Sequence, residues 1–141
     1  MAADPLLWEQ HPSKDRVHEA VFRQWFDATL ASEGALAAID RGSKQVIGTS
    51  RFDHYDEIRS EIEIGWTMLA RSHWGGAYNG EMKRLMLSYA FEFLRTVLLS
   101  VHSLNLRSQR AVEKLGAIRS DTEPDASGRG ENCTFRLTAS T

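Results

Sequence analysis

The stretch that decides the fold is Trp74-Gly75-Gly76-Ala77-Tyr78-Asn79-Gly80. It lies between the clearest predicted strand, residues 61–69, and a helix predicted at residues 79–94. The helix prediction rests on apolar residues at helical spacing, namely Met82, Leu85, Met86, Tyr89 and Phe93. A short apolar strand follows at residues 97–101. A strand, a helix and a strand in this order predict a crossover that joins two parallel strands.

Other elements flank this unit on both sides. Residues 17–30 carry a wide apolar face at helical spacing, which predicts a helix that Gly34 terminates. Residues 35–39 and 46–52 are predicted to form a β-hairpin, followed by a polar loop at residues 53–59. We expect a second helix at residues 105–115, stopped by Gly116, and final strands at residues 118–121 and 133–138 around a loop at 124–130. Residues 1–141 are therefore predicted to form one α/β (α+β) domain, with a mixed, mostly antiparallel central sheet and helices on both faces.

The strand at residues 61–69 alternates strictly at its start and then loses the pattern. Ile62 and Ile64 share one face of the sheet, while Glu61 and Glu63 share the other. Gly65 interrupts the alternation, which predicts a bulge or a splayed strand at this position.

Composition excludes several functional classes. The formal net charge is −2, so bulk charge gives no reason to expect a nucleic-acid partner. No stretch reaches the roughly 18 apolar residues that span a membrane, and no signal peptide is visible. We therefore expect a cytoplasmic protein with no membrane partner. Cys133 is the single cysteine and is expected to be buried in a strand, and the five dispersed histidines do not predict a metal site.

The glycine-rich turn is a candidate anion site. A helix N-terminus has unpaired backbone N–H groups and a partial positive charge, and both favour a phosphate. Glycine lets the backbone approach the anion closely. The pattern matches neither a nucleotide-binding P-loop nor a dinucleotide fingerprint. From the residues alone, an anion site and an ordinary tight turn are both open, and Trp74 and Tyr78 are expected to pack in either case.

A second candidate segment, Asn105-Leu106-Arg107-Ser108, begins the helix at residues 105–115. Asn105 is a good helix cap, and Ser108 lies three residues on and therefore on the same helix face. Ser108 is either a site residue or a side chain that caps the helix or faces solvent.

The two segments together resemble the cofactor-contacting segments of GNAT-type acyl-CoA N-acyltransferases. The first is similar to the family signature Gln/Arg-x-x-Gly-x-Gly/Ala, from which it departs at Trp74, Ala77 and Asn79. The resemblance implies that the turn binds the pyrophosphate of coenzyme A mainly through backbone amides, at Trp74, Gly75, Gly76, Ala77, Tyr78, Asn79 and Gly80. Because the backbone makes these contacts, Ala77 is acceptable if its φ stays negative. Asn79 is also a candidate helix cap.

The second segment is similar to the family's Asn-x-x-Ser/Ala segment, which meets the pantetheine arm. The run Glu113-Lys114-Leu115-Gly116-Ala117 follows at the expected distance. The resemblance implies cofactor contacts by Asn105 and Ser108, and by the strand at Thr67 and Leu69. Many family members place a tyrosine acid where this chain has Val112. The branch that acetylates ribosomal-protein N-termini uses a serine instead, so the resemblance implies Ser108 as the proton donor to the departing thiolate of acetyl-CoA.

An amine that attacks a thioester must lose a proton to a base. Glu63 is the first candidate, because it is nearest to the expected splay of the strand, and Glu61 is an alternative. For both glutamates the more common arrangement in proteins is a cross-strand charge that faces solvent, and this alternative stays open. Asp53, His54 and Asp56 are second choices for the base or for substrate contact, while His73 is expected to be a loop residue.

The resemblance also implies an additional first strand, for which the residues before the first predicted helix leave little room. We therefore expect an open sheet edge, covered by a homodimer contact or by residues 6–9. Three functions remain as hypotheses. The first is an acetyl-CoA-dependent N-acetyltransferase that acts on a protein N-terminus or small amine. The others are a non-catalytic acyl-CoA-binding or interaction module and a generic phosphate-binding domain.

Overall fold

A computed structural model describes residues 1–9, 11, 13–124 and 128–139. The α-helices within these residues are α1 (Glu19–Ala31), α2 (Tyr78–Phe91) and α3 (Leu106–Lys114). The strands are β1 (Ala35–Ile39), β2 (Val46–Asp56), β3 (Glu61–Leu69), β4 (Thr96–His102), β5 (Ile118–Pro124) and β6 (Glu131–Thr138). Short 3-10 helices span Pro5–Trp8, Lys14–Val17 and Arg71–His73.

The strands form one mixed sheet in the order β1-β2-β3-β4-β6-β5. Strands β3 and β4 run parallel, and the other neighbouring pairs are antiparallel. Helix α2 connects the two parallel strands, as the sequence predicts for the crossover. The predicted order of elements and the mixed α/β sheet are therefore confirmed.

Strand β2 is longer than the sequence suggests, and the prediction of a loop at residues 53–59 is wrong for its first half. Asp53 pairs with Glu63 in the ladder, and Asp56 pairs with Glu61. The charges that indicated a loop are accommodated in the sheet, because Arg51 forms an ion pair with Asp53 at 3.1 Å. Strands β5 and β6 also extend to Pro124 and back to Glu131, so the predicted loop at 124–130 is shorter. Its residues 125–127 lie outside the described part of the chain.

A bulge in β3 follows Gly65, as the broken alternation predicts. Thr49 pairs with Met68 and Arg51 pairs with Gly65, so Ser50 stands opposite both Trp66 and Thr67. Trp66 has a φ of +53°, a left-handed conformation that costs a non-glycine residue about 1–2 kcal/mol. The pairing between β3 and β4 ends just before the bulge, at Ile64 and Leu99. The two parallel strands therefore separate towards their carboxyl ends.

The buried face of α2 differs from the predicted apolar stripe. The helix buries Lys83, Met86, Leu87 and Ala90. Leu85, Tyr89 and Phe93 belong to the predicted stripe but are 66%, 60% and 69% exposed. Both sets of residues have helical spacing, and they differ by a rotation of about one residue around the helix axis. The predicted stripe is right for Met86, which is buried, and for Met82, which packs against the larger apolar cluster. It is wrong for the other three residues, because the sheet covers the side of the helix that contains Lys83.

Two apolar clusters hold the helices on the sheet. The larger one joins α2 and α3 to β3, β4 and β6, with Ile64, Leu99 and Phe135 almost fully buried. The smaller one joins the N-terminal segment to β3 through Leu7, Trp8 and Met68, and Phe22 and Trp25 of α1 pack against it. The hypothesis that residues 6–9 cover the edge of the sheet is wrong, because Leu7 and Trp8 lie in a 3-10 helix within this second cluster.

Strand β1 forms one edge of the sheet. Within the described residues, no helix has both the length and the apolar character needed to cross a membrane.

Candidate active site

Two helix N-termini lie at the carboxyl ends of the two separating strands. Helix α2 begins shortly after β3, and α3 begins shortly after β4. In open α/β sheets, ligands bind in the crevice at the carboxyl ends of such strands. The glycine-rich turn and the segment at residues 105–108 are therefore both placed at one opening in the sheet.

The start of α2 keeps its backbone donors free of side-chain caps. The N-cap residue is Ala77, whose side chain makes no cap hydrogen bond and whose φ is −86°. The condition that Ala77 keeps a negative φ is therefore confirmed. The prediction that Asn79 caps the helix is wrong, because the helix begins at Tyr78 and places Asn79 in its first turn. Gly75 has a φ of +73°, which explains a glycine at this position.

Trp74 connects the two segments of the site. Its indole N–H donates to the carbonyl oxygen of Leu69 at 2.7 Å, which fixes the turn to the end of β3. The guanidinium of Arg107 lies 3.6 Å from the centre of the Trp74 ring. Burial lowers the pKa of Arg107 from its usual value. Trp74 is thus a packing residue, as the sequence suggests, and the α3 segment contacts the glycine-rich turn through it.

The start of α3 is capped by Asn105. Its side-chain oxygen accepts a hydrogen bond from the Ser108 backbone N–H at 3.2 Å, and the residue is buried. Asn105 therefore has the capping role that the sequence left open. Ser108 is half-buried, and its hydroxyl makes no hydrogen bond within the described part of the chain. Val112 packs in the larger apolar cluster and supplies no acid.

Three of the candidate base residues lie together on β2 and β3. Glu63 Oε2 is 2.5 Å from His54 Nδ1, and the Glu63 side chain is 13% exposed against 67% for His54. Asp53 lies directly across the ladder from Glu63. The ring of Trp66 borders the group, 5.7 Å from the ring of His54 and 3.8 Å from the Arg51 guanidinium. This arrangement connects a mostly buried carboxylate to solvent through an imidazole.

The remaining candidates lie apart from this group. Glu61 does not face solvent, because it is buried and its carboxylate lies 3.4 Å from Arg136. Asp56 pairs with Glu61 at the far end of β3 and forms an ion pair with Arg59 at 3.8 Å. His73 lies in the short helix before the turn, where its ring is 4.6 Å from that of Tyr78.

Lys83 is a residue that the sequence analysis missed. Its Nζ donates to Ser50 Oγ at 3.1 Å and also contacts Thr67 Oγ1, and these two hydroxyls lie 2.9 Å apart. Burial lowers the pKa of Lys83 from its ordinary value of 10.5 to about 7. The sequence signal is a lysine in register with Met86, Leu87 and Ala90, but the wrong helix phase conceals it.

Neither a metal site nor a reactive cysteine is indicated in the described residues. No group of three or more His, Cys, Asp or Glu side chains in this part of the chain is arranged to hold a metal ion. Cys133 is fully buried in β6, as predicted.

Comparison with protein families and solved structures shows which proteins this chain resembles. The model of the family described as acetyltransferase (GNAT) domain matches residues 1–118. A GCN5-related N-acetyltransferase from Brucella melitensis shares 24% identity and a TM-score of 0.75, over 86% of this chain and 58% of that chain. A GNAT-family acetyltransferase from Bacillus anthracis shares 17% identity and a TM-score of 0.74, over 97% of this chain and 84% of that chain.

A protein from T. thermophilus described as an acetyltransferase shares 28% identity and a TM-score of 0.71, over 86% of this chain and 68% of that chain. The relatives below 25% identity show the fold alone, and the chain spans 58% of the length of the Brucella protein. The family match covers most of the chain, and the sheet with its separating parallel strands agrees with it. The chain therefore belongs to the GNAT family of acetyltransferases.

Proposed function

We propose that this protein transfers the acetyl group of acetyl-CoA to a primary amine. The observation that carries the proposal is the opening between β3 and β4, which no longer pair after Ile64 and Leu99. Beyond this point, the edge of β3 that faces β4 offers backbone groups that an extended pantetheine arm can pair with, near Thr67 and Leu69.

The pyrophosphate of the cofactor would lie at the start of α2. The helix end has no side-chain cap, and the turn from Gly75 to Gly80 is largely exposed. Free N–H groups at a helix N-terminus, together with the helix dipole, favour a phosphate at this place. The donors would be backbone amides in the segment Gly75, Gly76, Ala77, Tyr78, Asn79 and Gly80, while Trp74 holds the segment in place.

The thioester would lie beside Ser108. Asn105 fixes the first turn of α3, and the Ser108 hydroxyl has no protein partner within the described residues. When the amine attacks the acetyl carbon, a C–N bond forms and the C–S bond breaks. The departing thiolate takes the Ser108 proton, and solvent then restores that proton. This use of serine is what the proposed similarity to the branch that acetylates ribosomal-protein N-termini implies.

The proton of the incoming ammonium would go to Glu63. Its carboxylate is mostly shielded from water and lies 2.5 Å from His54 Nδ1, so a proton can pass from Glu63 to the exposed imidazole and then to solvent. Asp53, across the ladder, is the alternative acceptor. The mostly shielded carboxylate of Glu63 suits a cationic amine, which is the common feature of peptide N-termini and small amines.

Two measurements test this proposal. Calorimetry with coenzyme A tests cofactor binding, and release of free thiol from acetyl-CoA in the presence of a panel of amines tests turnover. We expect Ser108→Ala to lower kcat by about 10²–10⁴-fold with little effect on the Kd for coenzyme A. Ser88→Ala, an exposed serine on α2, is the matched control and should behave as wild type.

The same variants separate an enzyme from a binding module. A non-catalytic acyl-CoA-binding module would bind coenzyme A but show no turnover for Ser108→Ala to reduce. Glu63→Gln should lower kcat without weakening cofactor binding. Full activity of that variant would mean that Glu63 is not the base and that Asp53 takes its place. Absence of coenzyme A binding by the wild-type protein would contradict the proposal as a whole.

We further propose a homodimer that covers the edge of β1. This strand has no neighbour on its outer side in the described sheet, and it exposes Leu36 and Ile39. Unpaired sheet edges with apolar side chains favour association. A solution mass from light scattering that stays monomeric up to high protein concentration would contradict the dimer.

A further inference from the structure

A largely buried polar cluster joins three elements next to the opening between β3 and β4. It consists of Lys83 from α2, Ser50 from β2 and Thr67 from β3. Ser50 Oγ lies 2.9 Å from Thr67 Oγ1 and donates to the carbonyl oxygen of Gly65 at 3.3 Å. Because Gly65 and Thr67 flank Trp66, the cluster contacts the β3 bulge on both sides of its left-handed residue.

The amine of Lys83 is unfavourable in this place for stability alone. Lys83 is 4% exposed, and its polar contacts are the two neutral hydroxyls of Ser50 and Thr67. A methionine would fill nearly the same volume without a desolvated amine, and replacing buried charged groups by apolar ones is often neutral or stabilising. A role in function is a better explanation for a lysine on the apolar face of α2.

The β3 bulge needs support from its surroundings. Trp66 is held in a left-handed conformation that β-strand residues other than glycine rarely adopt. Without this bulge, β3 could continue as a regular strand and pair with β4 beyond Ile64 and Leu99, which would close the opening. The hydroxyl of Thr67 is the point at which Lys83 contacts the bulge itself.

We infer that Lys83 is a positioning residue for acetyl-CoA, which holds the β3 bulge through Ser50 and Thr67 and thereby keeps β3 apart from β4. The inference rests on the proposed function. The same helix that carries Lys83 also begins with the turn proposed to bind the pyrophosphate. One side chain therefore fixes the distance between the two ends of the cofactor site, from the start of α2 to the bulge.

The test compares coenzyme A binding by calorimetry for wild type, Lys83→Met, Ser50→Ala and the double variant. Ser50→Ala removes one hydroxyl from the cluster and leaves the lysine unchanged. Because Ser50 has no proposed cofactor contact, any loss of binding in this variant comes from the cluster. We expect about tenfold weaker binding for Lys83→Met and a smaller loss for Ser50→Ala. Because both residues act through one cluster, the double variant should bind no more weakly than Lys83→Met. The melting temperature of Lys83→Met should equal or exceed that of wild type.

Met86→Ala is the control for general loosening of α2, because it opens the apolar cluster but leaves the polar cluster intact. It should lower the melting temperature and change the Kd for coenzyme A little. If wild type binds coenzyme A and Lys83→Met binds it equally well, the inference is wrong while the proposed function stands. If wild type does not bind coenzyme A, the proposed function itself is wrong. A third result would also overturn the inference. If Lys83→Met binds coenzyme A more weakly and melts at a lower temperature, and both changes match those of Met86→Ala, Lys83 is an ordinary core residue.

Discussion

The pKa of Lys83 predicts how the stability of this protein depends on pH. In the unfolded chain the lysine has its ordinary pKa of 10.5, whereas burial lowers the pKa in the folded protein to about 7. Between these two values the unfolded state binds more protons than the folded state, so the free energy of unfolding rises with pH. This contribution is complete above pH 10.5 and is lost as the pH falls to 7.

The full difference in pKa corresponds to roughly 5 kcal/mol, spread over the window from pH 7 to 10.5. Between pH 7.5 and 9.5, the two pKa values give a change of about 2.5 kcal/mol in the Lys83 contribution. Lys83→Met removes this contribution and also removes hydrogen bonds to Ser50 and Thr67. Those bonds are worth about 1 kcal/mol each and change little with pH. The variant should therefore be more stable than wild type at pH 7.5, and its advantage should shrink by about 2.5 kcal/mol by pH 9.5.

The assay is urea unfolding followed by far-UV circular dichroism at pH 7.5, 8.5 and 9.5, for wild type and Lys83→Met. The difference between the two proteins isolates Lys83 from the other groups that titrate in this range. Lys14→Met, at an exposed lysine, is the matched control and should keep a constant difference from wild type. If the difference between Lys83→Met and wild type does not change with pH, the amine keeps its ordinary pKa in the folded protein and the prediction is wrong.

Three further predictions concern the scaffold. Gly34→Ala should destabilise the fold by about 2–3 kcal/mol in urea unfolding, because its Cβ would lie 1.9 Å from the Phe52 carbonyl oxygen; the control Gly42→Ala has no atom closer than 3.9 Å, and equal losses in both variants would contradict this reason. His11→Asn should make the melting temperature less dependent on pH between 6.5 and 4, because burial, reinforced by Arg16, lowers the pKa of His11 to about 4 and stability is lost as the pH falls through this window. If the melting temperature of His11→Asn depends on pH as strongly as that of wild type, burial of His11 is not the cause. His18→Asn, at an exposed histidine, is the control and should keep the pH dependence of wild type. Asn105→Ala should lose about 1 kcal/mol, because it removes the cap on the Ser108 N–H, whereas Asn105→Asp should retain most of the stability and a loss of equal size would count against capping.

Most of the fold could be predicted because its signals are local. The hairpin strand at residues 35–39 and the β3 strand at residues 61–69 agree with the structure, since periodicity and turn residues define them. The end of β2 could not be predicted, because Asp53 lies in the sheet through ladder pairing with Glu63 and an ion pair with Arg51. Such long-range partners leave no mark in the local pattern.

In the candidate site, too, features set by the local sequence could be predicted, whereas features set by long-range contacts could not. The turn at Gly75 and the cap at Asn105 follow from local backbone needs, and both are visible in the sequence. The phase of α2 is decided by which side the sheet covers, because its apolar residues satisfy two overlapping stripes. Lys83 was hidden for this reason, and its contacts with Ser50 and Thr67 depend on a bulge whose register only the paired strands reveal. The closeness of His54 and Glu63 likewise depends on the length of β2.

A crystal structure of the protein with coenzyme A would test the proposed cofactor site directly. In that structure the pantetheine arm should run between β3 and β4 beyond Ile64 and Leu99, with the pyrophosphate at the amides of the glycine-rich turn. The sulfur should lie within hydrogen-bond distance of Ser108 Oγ. Coenzyme A bound elsewhere on the sheet would contradict the proposed cofactor site, and coenzyme A bound in the opening with its sulfur directed away from Ser108 would contradict the proposed role of Ser108.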